Sequence, residues 1–424
     1  MTACAIEPTA PESEAPRAGC TITADGAYAA RLTLDGGCWF PERWTLDGPE
    51  PYAVPLPGNQ PEEPGTEVQP MGDGRVLIRR PTDGRHVFTL LYPTGPGTGE
   101  LLVGAVECPE PDTRLRLLPP APCGHRAYAL AVGRHTSDIW LVAGGAFGPE
   151  HVAELPGRCS GGVWLDRTGR MLALDREVGG RIKAVVVDLE RGGEVSPLLQ
   201  IAADSDDRLL LADPDSGLLL IGSDAPEPGR PPRLGWGVLG SMLPVRFPEC
   251  LRVPDCAVTP FAIQPGQVLM PEDCGVALRV DGPLGSWVGV WRPAEKQMRH
   301  LPAPEGWLAG AGVWTREGEL RLPYATGEVP CGVVRVDPSA LVDPSALVDP
   351  TASTDPMGAP ARAPAGAPTG EGEDASGDPV RDGAASSAAG APGAEERPDA
   401  DPPEPGVARP VPLQQAPLGR LVTN

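Results

Sequence analysis

The feature that most constrains this 424-residue chain is a strand–turn–strand pattern that recurs roughly every 40 to 58 residues as far as residue 337. Each turn is followed by a short apolar or alternating run, which is the sequence signal of a β-strand. Short strands repeated at a regular spacing are typical of β-propellers and related arrays, because stacked repeats bury faces that no single repeat can bury alone. The turn pairs are Asp25-Gly26, Asp73-Gly74, Cys123-Gly124, Thr168-Gly169, Asp206-Asp207, Pro265-Gly266 and Glu317-Gly318.

The segment 75–106 shows the repeating unit most clearly. Runs of apolar and alternating residues at 75–80, 86–91 and 101–106 are separated by turns at 82–84 and 93–99. Three consecutive strands on two tight turns form a meander, and a propeller blade is a four-stranded meander. Seven such units fill about 315 residues at about 45 residues per unit. We therefore predict an all-β fold, a β-propeller of about seven four-stranded blades spanning residues 20–337.

The segments that flank the predicted propeller have a different composition. Residues 1–19 are rich in proline, glutamate and alanine, which predicts a disordered leader. Residues 338–407 contain no aromatic residue, 13 acids and 3 arginines, so this segment cannot bury enough apolar surface to fold. We expect a disordered acidic linker there. Residues 408–424 carry spaced aliphatic residues and are expected either to dock on the propeller or to begin a connection to another part.

The net charge and the cysteines indicate which kinds of partner and which cellular compartment fit this sequence. A net charge of −22 disfavours binding to nucleic acid or to an anionic membrane. The N-terminus lacks the basic and apolar regions of a signal peptide, and no run of about 18 apolar residues occurs. The ten cysteines form no C-x-x-C pair. Reduced thiols in a cytoplasmic protein are the simplest interpretation, and we expect a protein or peptide partner, no nucleic acid and no membrane.

Two short motifs resemble cofactor or metal sites and are better explained by local structure. Residues 235–240 match G-x-G-x-x-G, but prolines at 231, 232, 244 and 248 prevent the helix that a dinucleotide site requires. A glycine-rich strand or turn is expected there. Residues 213–217, Asp-Pro-Asp-Ser-Gly, lack the full pattern of a calcium loop and are typical of a turn. We predict no cofactor and no metal.

The sequence also lacks the signals of a catalytic centre. None of the five histidines has zinc-ligand spacing, and no G-x-S-x-G nucleophile elbow occurs. Ser160, Ser241 and Ser286 have glycine-rich surroundings and are expected to be turn residues. We name no catalytic residue and favour a protein that is not itself an enzyme.

The tryptophans offer the only candidate contacts for a ligand or partner. Most lie at or near predicted strands, where packing between blades is the expected role. Trp236 and Trp307 instead lie between predicted strands. These two residues are the predicted sites of contact with a ligand or partner.

The repeated Asp-Gly and Thr-Gly blade turns, followed by the proline-rich segment 410–421, resemble the propeller half of prolyl-oligopeptidase-like proteins. In that family the catalytic serine, aspartate and histidine lie in an α/β-hydrolase domain. The sequence to Asn424 contains no such domain, so the resemblance assigns no catalytic residue to this chain. It implies a gating module that acts on the access of substrate.

Three functional hypotheses remain open from the sequence. The leading one is a non-catalytic propeller scaffold that binds a protein or peptide. The alternative is the gating, substrate-selecting propeller of a serine peptidase or hydrolase whose catalytic domain is missing or lies on a separate chain. The third is a propeller enzyme, such as a lyase or glycosidase, with carboxylates around its channel.

Overall fold

A computed structural model describes residues 19–95, 97–108, 110, 112–266 and 269–337. The predicted acidic linker, the C-terminal segment and, apart from Gly19, the predicted leader lie outside the described residues.

The described residues form 26 strands arranged as seven consecutive antiparallel meanders, so the predicted propeller is confirmed. Three 3-10 helices, Leu189–Arg191, Glu249–Leu251 and Pro271–Asp273, interrupt the connections. The strands of the first four blades are β1 Cys20–Ile22, β2 Tyr28–Asp35, β3 Cys38–Thr45 and β4 Tyr52–Pro55; β5 Glu67–Pro70, β6 Val76–Thr82, β7 Arg85–Pro93 and β8 Thr98–Glu107; β9 Arg114–Leu117, β10 Ala127–Val132, β11 Thr136–Ala143 and β12 Glu150–Pro156; β13 Cys159–Trp164, β14 Met171–Val178, β15 Arg181–Asp188 and β16 Glu194–Leu199. The strands of the last three are β17 Asp207–Ala212, β18 Leu218–Ser223 and β19 Arg233–Val238; β20 Ala257–Ile263, β21 Val276–Gly282, β22 Gly285–Trp291 and β23 Arg299–Leu301; β24 Val313–Trp314, β25 Leu320–Tyr324 and β26 Gly332–Val336.

The first strand of each blade lies nearest the centre of the ring. First strands of neighbouring blades contact one another: β1 contacts β5, β5 contacts β9, β13 contacts β17, β17 contacts β20, and β20 contacts β24. Within a blade, each strand pairs with the next strand along the chain. The last strand of every blade is therefore an outer edge of the propeller.

The turn between the first and second strands carries a glycine with positive φ in six blades. A left-handed backbone of this kind is open to glycine and strained for other residues. These glycines, with φ between 73° and 92°, are Gly26, Gly74, Gly124, Gly169, Gly217 and Gly318. Their conformation explains why the turn was the most visible repeat in the sequence.

Seven apolar clusters lie between the seven pairs of neighbouring blades. Their members come from blades 1 and 2, 2 and 3, 3 and 4, 4 and 5, 5 and 6, 6 and 7, and 7 and 1. Successive side chains of a strand point to opposite faces of the sheet, so one strand contributes to two clusters. Ala30 faces blade 2, whereas the adjacent Ala29 faces blade 7. The last cluster joins Trp44 of blade 1 to Val333 of blade 7 and closes the ring.

Blades 5 and 7 depart from the predicted four strands. Each has three, β17–β19 and β24–β26. In blade 5 the fourth strand is reduced to one bridge, in which Trp236 and Arg246 exchange two backbone hydrogen bonds of 2.8 and 2.9 Å. Within the described residues, blade 7 has no fourth strand.

Two local predictions are wrong. The β17–β18 turn of blade 5 lies at 213–217, where a turn was also expected, but Asp206-Asp207 is not a blade turn, because Asp207 opens β17 and its buried carboxylate binds Lys183. The apolar run expected after the turn pair Pro265-Gly266 is not a strand at Leu269 and Met270, which belong to the connection between β20 and β21, while 267 and 268 lie outside the described residues. Over the described ranges, no helix is long and apolar enough to cross a membrane.

Candidate functional site

The structure corrects the sequence interpretation of Trp236. This residue belongs to strand β19 rather than to a loop, is 4% exposed and packs between blades 5 and 6. The Arg246 guanidinium lies 5.0 Å from its ring centroid. At the neighbouring Gly235, an added Cβ would lie 2.7 Å from the Phe247 ring, so this glycine permits close packing. The indole is therefore covered by its own chain.

Trp307 lies in the connection between β23 and β24, as predicted, and is half-buried. Its Nε1 donates to the Ala311 carbonyl at 2.9 Å, and its ring centroid is 5.5 Å from that of Phe261. These contacts fix the ring against blades 6 and 7. A role in partner binding stays a prediction for this residue.

The other sequence motifs take structural roles. The glycine-rich segment 235–240 lies in β19 and the following turn. Asp213 Oδ2 accepts hydrogen bonds from Ser216 and from the Gly266 amide, so its turn is stabilised by groups of the protein. Ser160 and Ser286 lie in strands β13 and β22, which corrects their assignment to turns. No group of three or more His, Cys, Asp or Glu in the described ranges is arranged to hold a metal ion.

A polar cleft of about 360 Å³ lies where the β6–β7 turn meets the segment after β8. Its lining includes His86, Cys108, Glu110 and Thr113. Burial, with the nearby Arg79 charge, lowers the pKa of His86 to about 4. Arg79 donates to His86 Nδ1 at 2.8 Å, so the neutral ring carries its proton on Nε2.

Arg79 also ties this cleft to the centre of the propeller. Its guanidinium donates to Glu67 Oε2 at 3.1 Å and to the Gly65 carbonyl at 2.6 Å. Glu67 Oε2 accepts the Leu117 amide of blade 3 at 2.7 Å. The charged pair thus joins blades 2 and 3, and it has a structural role.

A second polar group lies between blades 4 and 5, at a bulge in β13. Asp175 is 6% exposed and accepts the Leu209 amide at 3.1 Å. Burial raises the pKa of Asp175 to about 6, opposed by that amide and by Arg208. Arg208 lies 3.6 Å from the Asp175 carboxylate and 3.4 Å from Ser160 Oγ. This arrangement holds a carboxyl that titrates near neutrality, with no nucleophile–base pair beside it.

The outer edges of the blades differ in how they are protected against strand pairing. Proteins protect exposed edges by shortness, proline, charge or a covering segment. Strand β4 is four residues long and ends in Pro55, β16 contains Pro197, and β23 is three residues long. Strand β12 exposes Glu150 and Glu154, and β19 is covered by its bridge to Arg246.

Strand β8 has fewer of these protections, although its Glu100 and Glu107 are exposed. It is ten residues long, Thr98–Glu107, and contains neither proline nor a basic residue. Leu101 is 50% exposed and Leu102 is 66% exposed. Of its two acids, Glu100 is directed to Arg80, with Oε1 3.6 Å from the guanidinium. The first half of β8 is thus a long, apolar, accessible edge.

The hydrogen-bond pattern shows which backbone groups this edge presents. At the β7–β8 turn, the Thr94 amide donates to the Gly97 carbonyl at 2.8 Å. Bonded and non-bonded residue pairs alternate along an antiparallel ladder. Glu100 and Leu102 fall in the non-bonded pairs of the β7–β8 register. Their N–H and C=O groups therefore point away from β7, toward the open edge.

A bulge limits the accessible edge on one side. The β7–β8 register shifts at Val103, and Gly104 follows with φ of 150°. Pro149 of blade 3 packs so closely on Gly104 that an added Cβ would lie 2.4 Å from its ring. The loop that carries Pro149 also exposes Phe147 at 98%. We call Leu101, Leu102 and Phe147 the rim patch.

Sequence reasoning missed the rim patch, although two signals were present. The run Leu101-Leu102-Val103 does not alternate, so its strand could not hide all three side chains on one face. Phe147 stands among glycines at 144, 145 and 148, where an aromatic residue has little local chain to pack against. Neither signal states which strand lies outermost, and that fact comes from the assembled blades.

Comparison with known proteins finds structural neighbours at low sequence identity but no matching family. No protein-family model matches the chain, and no curated protein matches its sequence. Among solved structures, an oligogalacturonate lyase from Vibrio parahaemolyticus is 10% identical, with 77% of this chain and 90% of that chain covered and a TM-score of 0.46. Prolyl oligopeptidase B from Galerina marginata is 12% identical, with 75% and 50% covered and a TM-score of 0.43.

A third similar structure is the β-propeller domain of the trilobed protease from Pyrococcus furiosus. It is 10% identical, with 76% of this chain and 96% of that chain covered and a TM-score of 0.43. The expected architectural resemblance to prolyl-oligopeptidase propellers is thus found, together with other propellers. At this level of identity the similarity concerns the fold and identifies no activity.

Proposed function

We propose that this chain is a non-catalytic propeller scaffold that binds an extended segment of a protein or peptide partner at the outer edge of blade 2. The observation that carries the proposal is the accessible edge of β8 beside the rim patch. Backbone groups of Glu100 and Leu102 supply hydrogen-bonding positions for an added strand. The rim patch supplies apolar contacts on either side of it.

Two physical arguments support this mode of binding. Adjacent residues of a strand project to opposite faces, so Leu101 and Leu102 flank an added strand on both sides. Contiguous exposed apolar residues with a polar border are typical of interaction sites. Glu100 and Arg80 provide such a border near the edge.

The net charge of the chain adds a preference among partners. With a net charge of −22, the chain attracts cationic segments and repels acidic ones, and this interaction acts over distances of about one Debye length. A partner segment with apolar residues at alternating positions and flanking basic residues fits the edge and the charge. Its association rate is expected to fall as salt concentration rises.

The first test uses peptides selected from a random library against the full chain, with affinity measured by fluorescence anisotropy. Phe147→Glu is expected to weaken the selected peptides at least tenfold, because it places a charge in the rim patch. Leu284→Glu is the matched control, since Leu284 is also 98% exposed but lies in the β21–β22 turn. Failure to select any binder, or binders indifferent to Phe147→Glu, would contradict the proposal.

A second variant separates strand addition from simple apolar contact. Leu102→Pro removes an N–H that points away from β7, so the β7–β8 ladder keeps its hydrogen bonds. The variant is expected to fold normally by circular dichroism and to lose peptide affinity. Leu102→Ala keeps the N–H and should retain more affinity than the proline variant. Equal losses would indicate apolar contact without strand pairing.

A further inference from the structure

The first strands of the seven blades contain few charged residues, and the acids among them are already bound. Glu67 accepts hydrogen bonds from Arg79 and from the Leu117 amide. Asp207 is held by Lys183. The other charged residues of these strands are all arginines: Arg114, Arg116 and Arg208. The first strands thus carry a local excess of positive charge in a chain whose net charge is −22.

Arg114 and Arg116 lie on the face of β9 that is turned toward blade 4. Leu115 and Leu117, which alternate with them, pack in the cluster between blades 2 and 3. Leu130, the partner of Arg116 in β10, packs in the cluster between blades 3 and 4. Arg114 is exposed and Arg116 is half-buried, and neither forms an ion pair with an acid that the structure describes. Both guanidiniums therefore keep their donors available for a ligand.

Arg116 lies near the level of Ser160 in the neighbouring blade. An added Cβ at Gly162 of β13 would lie 2.8 Å from Leu118 Cδ2, so the chain just after β9 packs against β13. The first strands of a propeller run in the same direction, because each blade repeats the same meander. Two residues before this contact, Arg116 on one strand and Ser160 on the other occupy neighbouring positions.

Arg208 approaches Ser160 from the opposite side, in blade 5. Its guanidinium lies 3.4 Å from Ser160 Oγ and 3.6 Å from the Asp175 carboxylate, and its side chain is 38% exposed. Arginines of blades 3 and 5 thus flank the start of β13 in blade 4. Of the acids that the structure describes, Asp175 is the one that lies within 4 Å of any of these three arginines.

The bulge in β13 leaves space over the Asp175 carboxyl. The β13–β14 register shifts between Ser160 and Val163, and the exposed Gly161 has φ of 76°. An added Cβ at Gly161 would lie 3.1 Å from Asp175 Oδ2, so glycine places no side chain over this oxygen. Bulges are frequent next to functional sites, because they redirect side chains and interrupt strand pairing. A small ligand at the bulge therefore meets Ser160 and Arg208 together.

We propose that the start of β13, between Arg116 and Arg208, binds the dianionic phosphate group of a small ligand. A guanidinium binds phosphate through two parallel hydrogen bonds, which are stronger than bonds between neutral groups. Ser160 Oγ accepts from Arg208, which leaves the hydroxyl proton to donate to the anion. Arg114, on the same face as Arg116, adds a positive charge that suits a doubly charged anion.

The charge of the whole chain makes this site easy to distinguish from non-specific binding. A net charge of −22 repels anions from the molecule as a whole, so any affinity for phosphate has to come from a local site. The inference is independent of the partner site on blade 2.

The test is equilibrium dialysis of the full chain against radiolabelled inorganic phosphate at pH 8 and constant ionic strength. We expect saturable binding to a single site. Arg116→Gln removes one guanidinium and is expected to weaken binding about tenfold. Arg134→Gln is the matched control, because Arg134 is an exposed arginine in the β10–β11 turn of the same blade. It removes the same charge and should change the affinity by less than about twofold.

Asp175→Asn is expected to have the opposite effect. The pKa of Asp175 is about 6, so at pH 8 its carboxyl is ionised and repels an anion at the bulge. The amide removes this repulsion, and the variant should bind phosphate about threefold more tightly. Misfolding cannot produce such a gain.

Three results would overturn the proposal. The first is the absence of saturable phosphate binding to the natural chain. The second is a loss of affinity in Arg134→Gln as large as that in Arg116→Gln. The third is an affinity of Asp175→Asn that is unchanged or lower.

Discussion

At the scale of single residues, the two tryptophans proposed as contacts show what sequence context conceals. Trp236 is flanked by glycines and lies near prolines, which is typical of a loop. In the structure the glycines instead create space for neighbouring side chains around a buried strand. Burial of an aromatic residue depends on what packs over it. In this case Arg246 lies over the ring, and nine residues, most of them outside any strand, separate it from Trp236 in the sequence.

The different burial of these tryptophans gives a direct prediction. Trp236→Ala should lower the free energy of unfolding by about 3–5 kcal/mol, as expected for truncation of a buried aromatic side chain. Trp307→Ala should cost less, because this ring is partly exposed. Urea denaturation followed by circular dichroism measures both. A larger cost at Trp307 than at Trp236 would contradict the packing described for blades 5 and 6.

Asp175 makes the stability depend on pH. Its pKa is about 6 in the folded protein and about 4 in an unfolded chain. Because the folded-state value is higher, protonation favours the folded state. The corresponding stabilisation is complete below about pH 4 and is lost as the pH rises through about 6.

Asp175→Asn removes this titration and keeps an oxygen that can accept the Leu209 amide. We expect the variant to exceed the natural protein in unfolding free energy by about 2–3 kcal/mol at pH 8, from a shift of two pH units. The difference should shrink toward zero at pH 4. Urea unfolding at both pH values provides the measurement. A variant that is less stable at pH 8 would show that Arg208 needs the ionised carboxylate.

At the scale of strands and blades, a buried ion pair joins β15 to β17. Lys183 Nζ lies 2.8 Å from Asp207 Oδ2, and Asp207 is fully buried. Ser205, Ser223 and the Ile201 amide also donate to this carboxylate. Removal of one member of such a pair leaves an uncompensated charge in the interior.

We therefore expect Asp207→Ala to destabilise the protein by about 3–5 kcal/mol. Glu194→Ala is the control, because Glu194 pairs with Arg191 at 3.5 Å and both side chains are more than half exposed. The control should change stability by less than about 1 kcal/mol. Thermal unfolding of the two variants compares them, and similar small losses would contradict a structural role for the pair.

The strands that sequence reasoning recovered are those bounded by glycine turns, such as β6, β7 and β8. Strand β19 was expected only as a glycine-rich strand or turn at 235–240, and β20 was not predicted because it follows Pro254 and contains Pro260. In β20, Pro260 is accommodated where the β20–β21 register shifts, so it does not break the strand. Pairing with a neighbouring strand thus accommodates prolines and glycines, which are residue types that usually favour loops.

At the scale of the whole propeller, the repeat predicted the number of blades and the burial between them. Seven inter-blade clusters confirm that expectation. Position in the ring was not predictable, because it depends on which strand of each repeat ends up outermost. The rim patch and the arrangement of Arg116 with Arg208 both follow from position in the assembled blades, and no local motif marks them.

The measurement that tests the account most directly is a crystal structure of the full chain with a selected peptide. We predict an extended peptide beside β8, hydrogen-bonded to the outward backbone groups of Glu100 and Leu102 and forming a fifth strand of blade 2. Leu101, Leu102 and Phe147 should contact its side chains. A peptide bound elsewhere, for example at the centre of the ring beside the first strands, would contradict the proposed function.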